Sequence, residues 1–124
     1  VIEVTFNDHS KACRSVWALE QLLKRFDEED TFELWLKTKH GPMISMLRNG
    51  ANAFLMYLRA EGDSGFTSRS ARGNLGTAPF RLSNGQEDQY PLSWCIGTAQ
   101  CYEALIEFFS QNGNKPDSVI WHED

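Results

Sequence analysis

Between Thr31 and Arg59 three strand-like runs follow one another across turns of only a few residues, and this constrains the fold more than any other feature. In Thr31–Lys37, Phe32, Leu34 and Leu36 alternate with Glu33, Trp35 and Lys37, the period of a strand with one buried face. His40-Gly41-Pro42 reads as a turn, and Met43–Leu47 as a short second strand. Asn49-Gly50 then signals a hairpin, because the tight turns that match strand twist need positive φ. Asn52–Arg59 (NAFLMYLR) is the most apolar of the three and predicts a central strand covered on both faces. A parallel crossover needs about a dozen residues. These three strands are therefore antiparallel.

The flanking segments fit around this unit. Val1–Phe6 (VIEVTF) alternates and predicts a first strand. Asn7, Asp8 and Ser10 offer capping oxygens for a helix over Lys11–Phe26, where Val16, Leu19, Leu23 and Phe26 share one face. Asp27, Glu28, Glu29 and Asp30 end it, since like charges repel and sit badly at the negative end of a helix. Ala60–Ala78 holds four glycines; Phe66 marks a possible strand there and Ser68–Thr77 predicts a long exposed loop. Phe80–Ser83, the Asn84-Gly85 turn and Gln89–Ile96 predict a further strand pair, with Pro91 at an edge or bulge. Thr98 caps a helix over Ala99–Asn112, whose stripe is Tyr102, Leu105, Ile106 and Phe109, widened by Cys101 and Phe108. Gly113 and Pro116 are stop signals, and Ser118–Trp121 is a terminal strand. The expectation is a single α+β domain over residues 1–124: a twisted antiparallel sheet of about six to seven strands with two main helices packed on it.

Charge narrows the partners. Twelve Lys and Arg face 17 Asp and Glu, a formal charge of −5. That excess disfavours nucleic acid and anionic membrane surfaces and suits a partner with a basic face. No apolar run approaches the roughly 18 residues of a membrane span, and Val1–Asn7 is too short and acidic for a secretory signal. The chain begins at Val1 without a Met, which leaves a longer precursor open. Cys13, Cys95 and Cys101 have no metal spacing and read as reduced, buried thiols of a cytoplasmic protein.

Catalytic motifs are sparse. Gly62-Asp63-Ser64-Gly65 matches the nucleophile context of chymotrypsin-like proteases, with His9 and His40 upstream, so a small hydrolase using Ser64 is one alternative. The same tetrapeptide is ordinary turn chemistry, and such proteases are about twice this size. His9, His40 and His122 lack metal-pair spacing, and Gly73-Asn74-Leu75-Gly76 lacks the Lys-Ser/Thr of a phosphate loop. No catalytic residue, metal or cofactor is assigned. Of the four tryptophans, Trp94 and Trp121 are expected to close the core. Trp35 with Tyr57 forms either packing under the first helix or an exposed aromatic patch.

From about Gly41 onward the chain resembles the first-numbered family of immunity proteins from bacterial polymorphic toxin systems. The resemblance rests on Met43–Leu47 with Asn52–Arg59 and on Gly65-Phe66-Thr67-Ser68. It rests above all on the helix Glu103–Phe109 ending in Phe108-Phe109, then Lys115-Pro116 and Val119-Ile120-Trp121. It implies a small, cytosolic, non-enzymatic antidote in interbacterial competition. Such a protein binds the C-terminal domain of a cognate toxin and occludes its active site. It also implies a toxin acting on nucleic acid or nucleotides, deaminases among them. The antidote is expected to be a monomer or weak dimer outside the complex. An acidic adaptor or secretion chaperone is the remaining alternative. Docking is expected from Ser64–Thr77, Asn84–Gln89 and the Asp27–Asp30 turn. The candidate contact residues are Asp27, Glu28, Glu29, Asp30, Glu61, Asp63, Arg69, Arg72, Glu87 and Asp88.

Overall fold

The period-two runs do form strands, and strand pairing extends well beyond them. A computed structural model describes residues 1–124. In chain order it has β1 (Ile2–Phe6), β2 (His9–Cys13), α1 (Val16–Phe26), β3 (Thr31–Lys37), β4 (Met43–Asn49), β5 (Asn52–Leu58) and β6 (Phe66–Ser68). Then follow β7 (Thr77–Arg81), β8 (Glu87–Pro91), a 3₁₀ turn (Leu92–Trp94), α2 (Thr98–Ser110) and β9 (Trp121–Glu123). Seven strands make one antiparallel sheet in the order β2-β1-β3-β4-β5-β6-β9, and β7 with β8 makes a separate two-stranded sheet. The expected α+β class and strand number hold for the main sheet.

Six local expectations are corrected. The first helix begins at Val16, not Lys11, because its apolar stripe begins there; residues 11–13 instead pair with β1 as part of β2. Asn7, at φ 54°, turns this hairpin, and Ser15 rather than Ser10 caps the helix by accepting from the Ala18 N–H at 3.0 Å. Ser68 is buried, because its hydroxyl donates to the Trp94 carbonyl at 2.8 Å and accepts from the Leu55 N–H at 2.9 Å; the exposed loop starts after it. Gln89–Ile96 is not one strand: the pairing stops at Pro91, and Ile96 returns separately to bridge Ala53. Helix α2 starts at Thr98 itself, with Gly97 at the cap position and no side-chain cap bond. The last strand is Trp121–Glu123, because Val119 turns into the core just before it.

Alternation assigns the two faces of the main sheet. One face carries Val4, Phe32, Leu34, Leu36, Ile44, Met46, Leu55 and Tyr57, all buried. Helix α1 covers it with Leu19 and Leu23, and α2 with Cys101, Ala104, Leu105 and Phe108. Each such aromatic or large aliphatic side chain contributes about 1.5–3 kcal/mol by leaving water. On the other face Leu47 and Phe54 meet Ala78 and Phe80 of β7, with Tyr90, Leu92 and Trp94 around them. Trp121 packs on the first core and Trp94 on the second. Tyr57 lies on the helix side and donates to the Gly113 carbonyl at 2.8 Å, whereas Trp35 lies on the other face; the two do not form one patch.

Candidate functional site

Three chain reversals meet at the start of β3. They are the β1–β2 turn with Asn7 and Asp8, the α1–β3 turn with Glu29 and Asp30, and the end of the β7–β8 hairpin with Arg81, Leu82, Ser83 and Gly85. They enclose an open groove of about 460 Å³ over Thr31 and Phe32.

Main-chain pins hold each wall. The Asn7 side-chain oxygen accepts from the Glu33 N–H at 3.1 Å, and the Asn7 N–H donates to the Glu33 carbonyl at 2.8 Å. Gly50 donates its N–H to the Asp30 carbonyl at 2.6 Å. One Glu33 carboxylate oxygen accepts from the Ser83 N–H at 2.9 Å, and Asn49 donates to the Pro79 carbonyl at 2.8 Å, so the hairpin is tied to β3 and β4.

Arg48 organises the acidic turn. It stands at a core-facing position of β4, opposite Phe32, and reaches out to donate to the Asp27 carboxylate, to the Gly50 carbonyl at 2.9 Å and to the Glu29 carbonyl at 3.4 Å. Tyr102 of α2 donates to the same Asp27 oxygen at 2.8 Å, and burial together with that bond pushes its hydroxyl pKa up to about 12. Asp27 is thus a structural anchor. Glu28, Glu29 and Asp30 are exposed and make no ion pair.

The remaining candidates are dispersed. Glu87 and Asp88 lie on β8 rather than in a turn; Glu87 faces Arg81 across the hairpin, and Asp88 accepts from Gln86 at 2.8 Å. Glu61 lies at the far end of the sheet, in a basin of about 590 Å³ beside Lys11, Arg14, Lys37 and Lys39. Asp63 accepts three bonds of 2.9 Å from Arg59, one from its N–H and two from its guanidinium. Those bonds hold its carboxyl well below the usual range. Arg69 donates to Thr67 Oγ1 at 2.7 Å and the Ser68 carbonyl at 2.9 Å, with its guanidinium 5.1 Å from the Trp94 ring centre. Arg72 is exposed in the loop after β6. The groove therefore gathers the Asp27–Asp30 turn and the hairpin, but not Glu61, Asp63, Arg69 or Arg72.

The motif around Ser64 is a turn. Gly62 and Gly65 have φ of 84° and 77°, and the Ser64 hydroxyl donates to the Asp124 carbonyl at 3.0 Å. A Cβ on Gly65 would stand 2.7 Å from the Tyr57 carbonyl oxygen, so glycine is required there by packing as well as by φ. Two residues of the site escaped sequence reasoning, Asp8 and Arg48. An arginine two positions beyond Met46 on a buried strand face was the available signal for Arg48, since a cation there must be paired.

The site is thus an acidic surface on an α+β scaffold, with its turns pinned at the main chain and the Glu28, Glu29 and Asp30 side chains exposed. Residues 18–123 match the family model described as immunity protein Imm1, and the chain belongs to that family of toxin-neutralising immunity proteins. The match begins within α1 and takes in the groove apart from Asn7 and Asp8. No curated protein matches the chain. No helix is long and apolar enough to cross a membrane.

Proposed function

We propose that the acidic groove at the start of β3 docks the toxin domain and that docking occludes a basic, substrate-binding cleft. The toxin acts on nucleic acid or nucleotides, with a deaminase as one such activity, and the antidote carries out no reaction of its own. It works in the cytoplasm on the C-terminal domain of its cognate toxin.

The observation that carries this reading is the convergence of Asp8, Glu29 and Asp30 in the groove against the single cation Arg81, with Glu28 exposed in the same turn and Glu87 and Asp88 on the adjoining hairpin, on a chain of net charge −5. An enzyme that handles phosphates needs a positive cleft. A rigid negative surface steers toward such a cleft and raises the association rate tenfold or more. A typical complex buries about 800 Å² on each partner, more than the groove alone supplies, so the rims of all three reversals take part.

The test is charge reversal with the anchor left intact. A Glu28→Lys/Glu29→Lys/Asp30→Lys variant keeps Asp27, hence the Arg48 and Tyr102 bonds. Its association with the toxin domain encoded by the adjoining gene is expected to slow about tenfold or more at low salt. The wild-type advantage should shrink as salt rises. Glu87→Lys/Asp88→Lys should act in the same direction. Wild-type kinetics and full protection of toxin-expressing cells by both variants would place the docking face elsewhere.

A further inference from the structure

The β7–β8 hairpin covers only part of the sheet face that the helices leave free. Strand register places Trp35 beside Ser45 and Ser45 beside Met56, and in the next row Lys37 beside Met43 and Met43 beside Leu58. Trp35, Met43 and Leu58 belong to neither hydrophobic core, and all three are partly exposed. We propose that this uncovered patch is a second contact with the toxin, and that it seats a toxin segment carrying an apolar side chain next to an arginine or lysine. The inference rests on the immunity reading and adds the centre of the interface to its acidic rim.

Three observations converge on it. Trp35 is held in place before any partner arrives: its indole N–H donates to Glu33 at 3.2 Å, and the Lys37 ammonium lies 5.7 Å from its ring centre. A side chain fixed in advance loses little freedom on binding, and buried Trp is a favoured interface anchor. Charge is the second observation. Glu33 borders this patch and Asp88 lies by Tyr90 on the hairpin beside it, both half-buried with no cation within ion-pair distance. The Tyr90 ring of the hairpin lies tilted against Phe54 with centres 4.9 Å apart, and Phe54 is in the same row as Glu33 and Leu47. Carboxylates so placed favour an incoming cation. The third is Ser45, whose fully shielded hydroxyl on this face has no hydrogen-bond partner. Within the chain, such a group costs stability.

The patch is continuous with the acidic groove. Glu33 uses one carboxylate oxygen for Trp35 and the other for the N–H of Ser83, a groove residue. Trp17 is more exposed, at 69%, but lies on α1 among Lys11, Ala12 and Arg25, away from this face.

The test uses full-length protein and the toxin domain encoded by the adjoining gene, made inactive by substitution. Trp35→Ala is expected to weaken binding about a hundredfold and Glu33→Gln about tenfold, with Trp17→Ala within twofold of wild type. Circular dichroism and thermal midpoints verify folding. Hydroxyl-radical footprinting of the wild-type complex needs no variant: oxidation of Trp35 and Met43 should fall on binding while that of Trp17 does not. Tight wild-type binding with unchanged footprints at Trp35 and Met43 overturns the patch and leaves the antidote reading standing. A wild-type chain that neither binds nor protects overturns both.

Discussion

The two faces of the seven-stranded sheet are built by different rules. Beneath the helices lies a core of 18 buried residues, and the one tyrosine in it has its hydroxyl bonded to Gly113. On the opposite face the buried cluster has four members, with Ser45 unpartnered and Glu33 held by hydrogen bonds alone. The first face is what hydrophobic burial produces when stability is the only demand. The second keeps groups whose costs are not offset within the chain, and such exceptions are expected where a surface serves recognition.

Phe108→Ala is the severest way to break this contrast from the helix side. Phe108 is fully buried and packs edge-on against Tyr57 at 6.2 Å. Its removal is expected to cost about 3–5 kcal/mol, a large part of the stability of a chain this size. Urea denaturation followed by circular dichroism measures it. A loss below about 1 kcal/mol would mean that the helix layer is not what holds the sheet.

Phe80→Ala is the matching cut on the other side, with a smaller effect. Phe80 is 1% exposed and meets Phe54 edge-on at 5.0 Å. Because few residues hold the hairpin down, the variant is expected to release residues 77–91 locally, at about 1.5–3 kcal/mol. Amide exchange reads the difference: protection should drop in β7 and β8 and persist in β3 and β4. Equal loss across the sheet would make the two faces one cooperative unit.

Much of the helix-side face was legible in the sequence. Strand β3 shows clean alternation, and α2 has its stripe followed by Gly113 and Pro116. Strand β2 was not legible, because four of its five residues are exposed and only backbone pairing with β1 makes it a strand. Tyr57 illustrates a different limit. Strand β5 is apolar on both sides, so its period says nothing about which side Tyr57 takes, whereas β3 assigns Trp35 correctly to its polar side. The acidic turn at Asp27–Asp30 was visible as charge. Its assembly with Asp8 and the hairpin depends on tertiary pins from Asn7, Arg48 and Glu33, which no local pattern reports. The Arg59 bonds to Asp63 were equally hidden, so the charge run from Glu61 to Asp63 looked free when half of it is structural.

Ser45→Ala is the mildest change and sharpens the contrast most directly. Ser45 stands between Trp35 and Met56 with 0% of its surface exposed and no partner for its hydroxyl. Burying a hydroxyl without a hydrogen bond costs about 1–3 kcal/mol in proteins. Alanine removes that cost and leaves a gap of one oxygen atom, so the free protein is expected to gain about 1 kcal/mol, read as a higher urea midpoint with an unchanged slope. The same substitution beneath the helices has no counterpart, since the tyrosine hydroxyl there is bonded. Destabilisation by more than about 1 kcal/mol would show that the Ser45 hydroxyl is hydrogen-bonded through an ordered water. The second face would then be as fully satisfied as the first, and the difference between them would reduce to area.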